Sequence, residues 1–424
     1  MKVKKIVMVM TSLILSSVLF AGCGGNTAQP NKAQPSETDK KVESTKEPKK
    51  APVELSVGYS AGDEAATKSL EVLIKEYNEN QENYIIKPDP ISGNVNDVLK
   101  TRMASNTEPD LMPMDPQLIS SLVESNRLLE LDPYLSGYDI DDFENATLDA
   151  GKYKGKIYAL PLDYNTLILF YNKKMLQEAG VSVPTTWDEL KDAAKKLTKG
   201  NIKGLSLQNE LPRFQPFLYS NGGTMMKDGK PYVNSKENAE ALGYWISLFK
   251  DGVAATPADL GVGWNGDSFA QELVAMTVEG HWMMPYIEKL KPDMEWGAVP
   301  IPIKKQPASM VFMGVYSISA NTKDKEGAVD FLKFLASKRG IQSKVDGGGG
   351  GVIPARKSMK EEFLKLSPEK QAALDAVESS SLFIYGLKSP EVIKQMNDAA
   401  EALRLGAETD PQAALDKVQQ ALDK

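Results

Sequence analysis

The stretch Leu160 to Leu197, LPLDYNTLILFYNKKMLQEAGVSVPTTWDELKDAAKKL, constrains the fold more than any other part of the chain. Tyr164 to Tyr171 is dense in β-branched and aromatic residues, the composition of a buried strand, and Asn172 with the lysines after it ends the run. A short helix is predicted from Lys173 to Ala179, stopping at Gly180. Thr186 then offers an N-cap, with Trp187 in the first turn and Glu189 three residues beyond the cap. Leu190, Ala193, Ala194 and Leu197 recur at helical spacing, so a capping box opens an amphipathic helix. The unit is strand, turn, helix.

The rest of the body repeats that alternation. Strands are predicted at Val53 to Tyr59, Tyr84 to Pro88 and Pro109 to Met114, with helices at Glu64 to Asn78, Asn94 to Ser105, Gln117 to Ser125 and Ile140 to Leu148. Farther on, strands fall at Gly204 to Gln208, Val274 to Val278, Trp296 to Pro300 and Phe312 to Ser319. Helices begin at Pro216, Ala239, Met283 and Lys325, Lys357 to Ser379 reads as mostly helical, and Pro390 to Leu405 and Pro411 to Leu422 close the chain. This order predicts an α/β protein with a mostly parallel sheet covered on both faces. Ligands of such sheets sit at the carboxyl ends of strands, which points to Tyr59 to Asp63 and to Asp115. Val53 to Lys424 is longer than one core normally organises, so two domains are expected.

The N-terminus has another logic. Lys2, Lys4 and Lys5 precede an apolar run from Ile6 to Phe20, shorter than the roughly 20 residues that span a bilayer, and residues 1–22 read as a secretory signal peptide. Ala21 and Gly22 directly before Cys23 resemble a bacterial lipobox, which implies that Cys23 is lipidated and holds the protein on the outer face of the cell membrane. Cys23 is the chain's single cysteine, so no thiol is left for disulfides, catalysis or metal ligation. Gly24 to Pro52 is rich in Lys, Glu, Pro, Ser and Thr and reads, with Cys23, as a disordered tether over 23–52. A formal net charge of −7, and the lack of a basic stripe with interleaved aromatics, argue against nucleic acid as a partner. The glycines at 347–351 lead to Pro354 and not to the Lys-Ser or Lys-Thr of a phosphate loop, so they are read as flexible backbone.

Several motifs follow one another in a fixed order. The first stretch carries Pro161, Leu162 and Asp163, then Leu169, Phe170, Tyr171 and Asn172, then Leu176 and Glu178, then Pro-x-Thr-Trp-x-Glu-Leu from Pro184 to Leu190. Beyond it stand Phe-x-x-x-x-x-Ala-Met from Phe269 to Met276, Gly-x-Trp from Gly280 to Trp282, and Gly-x-x-Pro from Gly297 to Pro300. This series resembles the signature of the family 1 extracellular solute-binding proteins, receptor subunits of ABC importers that mostly carry sugars; Ile168 departs, where the family prefers a small residue. The resemblance implies a two-lobed, periplasmic-binding-protein-like fold of type II. Its lobes are discontinuous, 53–161 with 315–377 and 162–314 with 378–424, joined by a hinge of three crossings. It also implies a carbohydrate ligand, expected to be an oligosaccharide, the permease subunits of an importer as membrane partners, a monomer, and no cofactor.

A sugar needs hydrogen-bonding groups for its desolvated hydroxyls and aromatic planes for its ring faces. The expected ligand-facing residues are Tyr59, Asp63 and Asp115 from the first lobe. From the second they are Tyr164, Asn165, Glu210, Arg213, Trp264, Trp282 and Phe383, with Gly314 and Tyr316 at a crossing. Phe383 and Tyr385 compete for one stacking role, and Trp187, Trp245 and Trp296 are assigned to structure. An extracellular glycoside hydrolase is the rival class, since Glu279 and His281 share a face of a strand, but Gly-x-Ser-x-Gly and His-Glu-x-x-His are both absent. Asp139, Asp141, Asp142 and Glu144 read as helix-capping groups and not as a calcium loop. A receptor for a polyamine or phosphodiester is the remaining alternative.

Overall fold

The computed structural model describes residues 51–61, 64–347, 351–365 and 369–424. The signal peptide, Cys23, nearly all of the tether, Asp63 and the centre of the glycine run lie outside them. Among the described residues, the first strands are β1 (Val53–Ser60), β2 (Tyr84–Ile91) and β3 (Leu111–Met114), separated by the helices Glu64–Asn80 and Val95–Ala104. A small hairpin, β4 (Lys152–Tyr153) and β5 (Lys156–Ile157), leads into the long strand β6 (Ala159–Asn172). Then come β7 (Lys203–Ser206), a second hairpin of β8 (Met226–Lys227) and β9 (Lys230–Pro231), β10 (Ala254–Ala255), β11 (Val274–Gly280), β12 (Trp296–Val299) and β13 (Ser309–Ile318). The short β14 (Ile353–Pro354) and β15 (Ser380–Leu382) precede the closing helices Ser389–Leu405 and Pro411–Leu422.

One hydrogen-bonded sheet runs in the order β10-β7-β11-β6-β13-β3-β1-β2, with β12 and β14 also paired to β6 and β15 to β13. The expected parallel sheet proves to be mixed. β1 is parallel to β2 and β3, and β7 to β10 and β11, but β6 and β13 run antiparallel to each other and to most of their neighbours. The correction has a simple cause: β6 and β13 carry the chain from one half of the sheet to the other in opposite directions. All of β6 except Tyr171 is buried, which accounts for the apolar run Leu167 to Phe170, while Asp163, Asn165, Thr166 and Asn172 are buried polar residues of the same strand.

Each half has its own core. On one side Leu55, Val57, Leu73, Ile74, Phe331 and Leu332 pack helices onto β1 and its neighbours. On the other, Leu190, Phe214, Phe217, Trp245, Val278 and Leu415 do the same around β7 and β11. A third cluster, including Met112, Tyr164, Phe170, Phe269, Met313 and Phe363, follows the middle of the sheet. The capping box at Thr186 and Glu189 is formed, and Trp187 stacks on Tyr244 with ring centroids 4.3 Å apart. Trp187 and Trp245 are buried in the core, as their structural assignment requires.

Several helix boundaries differ from expectation. Gln117 to Ser125 is a 3-10 turn, Pro116–Leu118, followed by the helix Ile119–Glu124, and Ile140 to Leu148 divides into Ile140–Asp142 and Asn145–Ala150. Lys357 to Ser379 holds only short pieces, Lys360–Leu364 and Lys370–Asp375 among them. The helix Leu211–Ser220 starts a turn and more before Pro216, and Lys338–Gly347 and Asn265–Ala270 form where none was predicted. Asp142 is a second difference. It caps no helix of its own segment; it accepts hydrogen bonds from the Arg356 guanidinium, at 3.1 Å, and from the Ser358 hydroxyl and backbone N–H, at 2.8 and 3.0 Å, the last in the first turn of the 3-10 helix Lys357–Met359.

Candidate functional site

Two cavities lie side by side at the ends of β1 and β3 and along the middle of β13. β3 stops at Met114, and Asp115 leads into the 3-10 turn, so its exposed carboxylate stands at the carboxyl end of the strand. Asn94 caps the helix Val95–Ala104 by accepting from the Asp97 amide at 3.1 Å, and the Asn96 amide donates to Asp115. β1 brings Tyr59 and Ser60, and β13 brings Phe312, Met313, Gly314 and Tyr316. The first cavity, about 330 Å³, is lined by these residues except Phe312, together with Lys344 and a wall of aliphatic side chains. The second, about 120 Å³, shares Asp115 and Met313 with it and adds Gln117, Phe312, Leu382 and Phe383.

Where β13 lines the cavity, its register against β6 shifts by one residue at a bulge in β6. Gly314 pairs with Asp163, but the next residue, Val315, pairs with Pro161, so Leu162 is the extra residue of a bulge. At that point the Lys344 ammonium donates to the Asp163 carboxylate, and Asp163 is itself buried. A Cβ on residue 314 would stand 2.9 Å from Asp163 Oδ2 and 3.0 Å from Lys344 Nζ, so the glycine makes room for the ion pair. Tyr316 donates its hydroxyl to the Gly58 carbonyl at 3.1 Å, tying β13 to β1, and burial pushes that hydroxyl's pKa up.

A second group lies beyond Phe312. The Arg213 guanidinium is held by both oxygens of Glu279, at 3.0 and 3.2 Å, and sits 5.2 Å from the Phe312 ring centre and 5.7 Å from that of Trp282. Glu279 is fully buried and also accepts from the Asn265 amide at 3.2 Å and the Gly280 N–H at 2.9 Å, so its charge is paired and its lone pairs are used. Trp282 meets Phe312 edge to face at 5.4 Å. A Cβ at Gly280 would fall 2.2 Å from the Trp282 ring, so the glycine of the Gly-x-Trp motif is there to let the indole fold back over the strand. Burial raises the pKa of the half-buried Glu210 carboxyl; Arg213 opposes that effect and Glu279 adds to it.

The candidates from sequence divide accordingly. Tyr59, Asp115, Gly314 and Tyr316 line the first cavity, and Asp115 and Phe383 line the second. Trp282 and Arg213 stand behind Phe312. Tyr385 is the packing partner of the Phe383 pair: it is buried in a core and donates to Gln215. Tyr164 is corrected, since it is sealed in the central core with no partner for its hydroxyl and reaches neither cavity. Asn165 is buried beside Phe312 in the ladder, and Trp264 packs against Tyr286 at 4.8 Å; neither lines either of these two cavities. Asp63 lies outside the described residues. Sequence reading missed Asn96, Gln117, Phe312 and Lys344. Phe312 could have been found from its alternation with Gly314 and Tyr316 along one strand, whereas Lys344 meets Asp163 only through tertiary structure.

The chain is similar to known proteins over most of its length. The sequence pattern of a family described as bacterial extracellular solute-binding protein matches residues 72–375. The multiple sugar-binding protein of Streptococcus mutans is 26% identical over 367 residues, covering 82% of each chain. The galactooligosaccharide-binding protein of Bacillus subtilis is 25% identical over 329 residues, 74% of this chain and 76% of that one. Among solved structures, the GacH receptor of Streptomyces glaucescens, determined unliganded and with acarbose, superposes with a TM-score of 0.79 at 23% identity, covering 88% of this chain and 98% of that one. The substrate-binding protein Lmo0181 of Listeria monocytogenes, in complex with cycloalternan, gives the same TM-score, identity and coverage.

Proposed function

The chain belongs to the bacterial extracellular solute-binding proteins and has their two-lobed α/β fold, and from that premise we propose that it is the receptor of an ABC importer for a carbohydrate, with an oligosaccharide as the expected ligand. In this reading the lobes are 53–161 with 315–377 and 162–314 with 378–424. The ligand lies between them, and closure about the β6 and β13 crossings presents it to the permease subunits; hinge closure of this kind is a known behaviour of such receptors. Cys23 carries the lipid and residues 24–52 let the body stand off the membrane, a monomer anchored outside the cell. The observation that carries the reading is the pair of adjoining cavities at Asp115, with the half-buried rings of Phe312, Phe383 and Trp282 beside them, in a chain whose relatives are named for sugars.

We read it as a receptor without catalysis. Glu279, the nearest thing to a general base, is committed to Arg213 and Asn265. His281 is fully buried, neither ring nitrogen has a partner, and burial beside the Lys370 charge lowers its pKa to about 3. Neither group can reach a substrate.

A melting screen against mono- and oligosaccharides tests the proposal. A sugar present at 100 times its Kd should add about 2.7 kcal/mol of stability, and should come back chemically unchanged after hours with the protein. Tryptophan emission should shift on binding, and Trp282→Ala should weaken affinity by about tenfold or more while the fold persists. Stabilisation by polyamines or phosphodiesters and by no sugar would reassign the ligand; release of reducing sugar would make the protein a hydrolase.

A further inference from the structure

The larger cavity is built for something other than a sugar ring. Its exposed side is polar, with Asn94 and Asp115 open to solvent and Tyr59, Ser60 and Asn96 half-exposed. Its inner wall is Leu70, Leu73, Met114, Leu162, Met313 and Leu335, all buried. The polar groups among those inner residues are already engaged within the protein. Ser69 donates to the Ser343 carbonyl at 2.9 Å, Tyr316 to Gly58, and Lys344 to Asp163. Lys344 keeps N–H donors to spare at the edge of the wall, but a sugar hydroxyl pressed against the aliphatic side chains themselves would lose water and gain no partner. Aliphatic or aromatic carbon would lose nothing there, and Met114 and Met313 are flexible enough to shape themselves to it. A volume of about 330 Å³ is ample for a chain of several methylenes.

We propose that this receptor takes a glycoside bearing an apolar substituent: the sugar lies at Asp115 and Phe383, and an alkyl or aryl group enters between Leu70, Leu73, Met114 and Leu335. The inference rests on the carbohydrate reading and adds the chemical class of what the sugar carries. Asp115 and Met313 line both cavities, so one ligand can set its sugar ring against Phe383, with Asp115 and Gln117 beside it, and run its apolar part into the larger cavity without a break.

The test uses the full chain and methyl, butyl and hexyl glycosides of glucose, galactose and maltose, with the parent sugars and hexanoate as controls. For at least one sugar head, affinity should rise about fourfold for each added methylene, and Leu73→Phe, which fills the cavity instead of emptying it, should flatten that gradient to about twofold or less across the whole series. In the unsubstituted protein, the ε-methyl signal of Met114, which lines only the larger cavity, should move with the hexyl glycoside and stay in place with the methyl one, a readout that needs no variant to fold. Parent sugars that bind while longer alkyl groups bring no gain would overturn the inference and leave the carbohydrate reading standing. A gradient that survives in Leu73→Phe with an unmoved Met114 signal would overturn it as well, by placing the tail elsewhere. Binding of hexanoate with no sugar or glycoside bound would overturn both.

Discussion

His281 shows how burial turns a reactive side chain into a structural one. It is the chain's single histidine, fully buried, 6.0 Å from the Phe363 ring and near the Lys370 charge, and its pKa is lowered to about 3. The sign of the linkage follows: the unfolded chain binds a proton near pH 6.5 and the folded chain does not, so stability is complete above that pH and falls as pH drops toward 3. Urea unfolding should show the protein about 2 kcal/mol less stable at pH 5 than at pH 8 through this residue, and His281→Phe should remove most of that difference. A result independent of pH between 8 and 5 would mean that the imidazole finds a partner or water when protonated. At this scale the sequence was informative where a residue's neighbours in the chain explain it. Gly280 and Trp282 are one such pair, since the glycine admits the indole. It was uninformative for Tyr164, whose position in β6 looks like that of any aromatic beside a polar residue until the third core closes over it.

Among elements, the helix Trp187–Leu197 was read almost to the residue, because its cap, its first-turn acid and its apolar spacing all agree. Thr186→Ala should cost about 1 kcal/mol by opening the capping box. Gly204→Ala should cost more, about 3 kcal/mol, because a Cβ there would fall 2.2 Å from the Ala194 carbonyl and backbone cannot step aside as a side chain does. Urea midpoints of the two variants check the order; if Gly204→Ala proves the milder, the helix sits less tightly on β7 than described. Apart from the ten-residue helix Lys338–Gly347, the elements that went unread share a cause. Asn265–Ala270 is a single short helix, and the 3-10 turns Pro116–Leu118 and Ile140–Asp142 are shorter still, so too few residues carry a period. The direction of β6 and β13 was likewise invisible, since alternation predicts strands but not which way the chain runs through the sheet.

For the whole molecule, the fold class and the α/β order were legible because many weak signals point the same way. The position of the cavities was legible in part, through Tyr59 and Asp115 at strand ends. Lys344 and Phe312 come to the site from far along the chain, and no local pattern announces such meetings. The sheet that joins them depends on pairings of large sequence separation: Val311 with Thr166, and Ile318 with Leu111. A fragment ending before Ser309 leaves β3 and β6 without that shared neighbour, and should lack a cooperative unfolding transition by circular dichroism; a sharp transition would show that the first half stands alone. Contacts of this range slow the search for the native arrangement. A nascent polypeptide leaving the ribosome therefore cannot finish either side of its architecture until Ile318 has emerged.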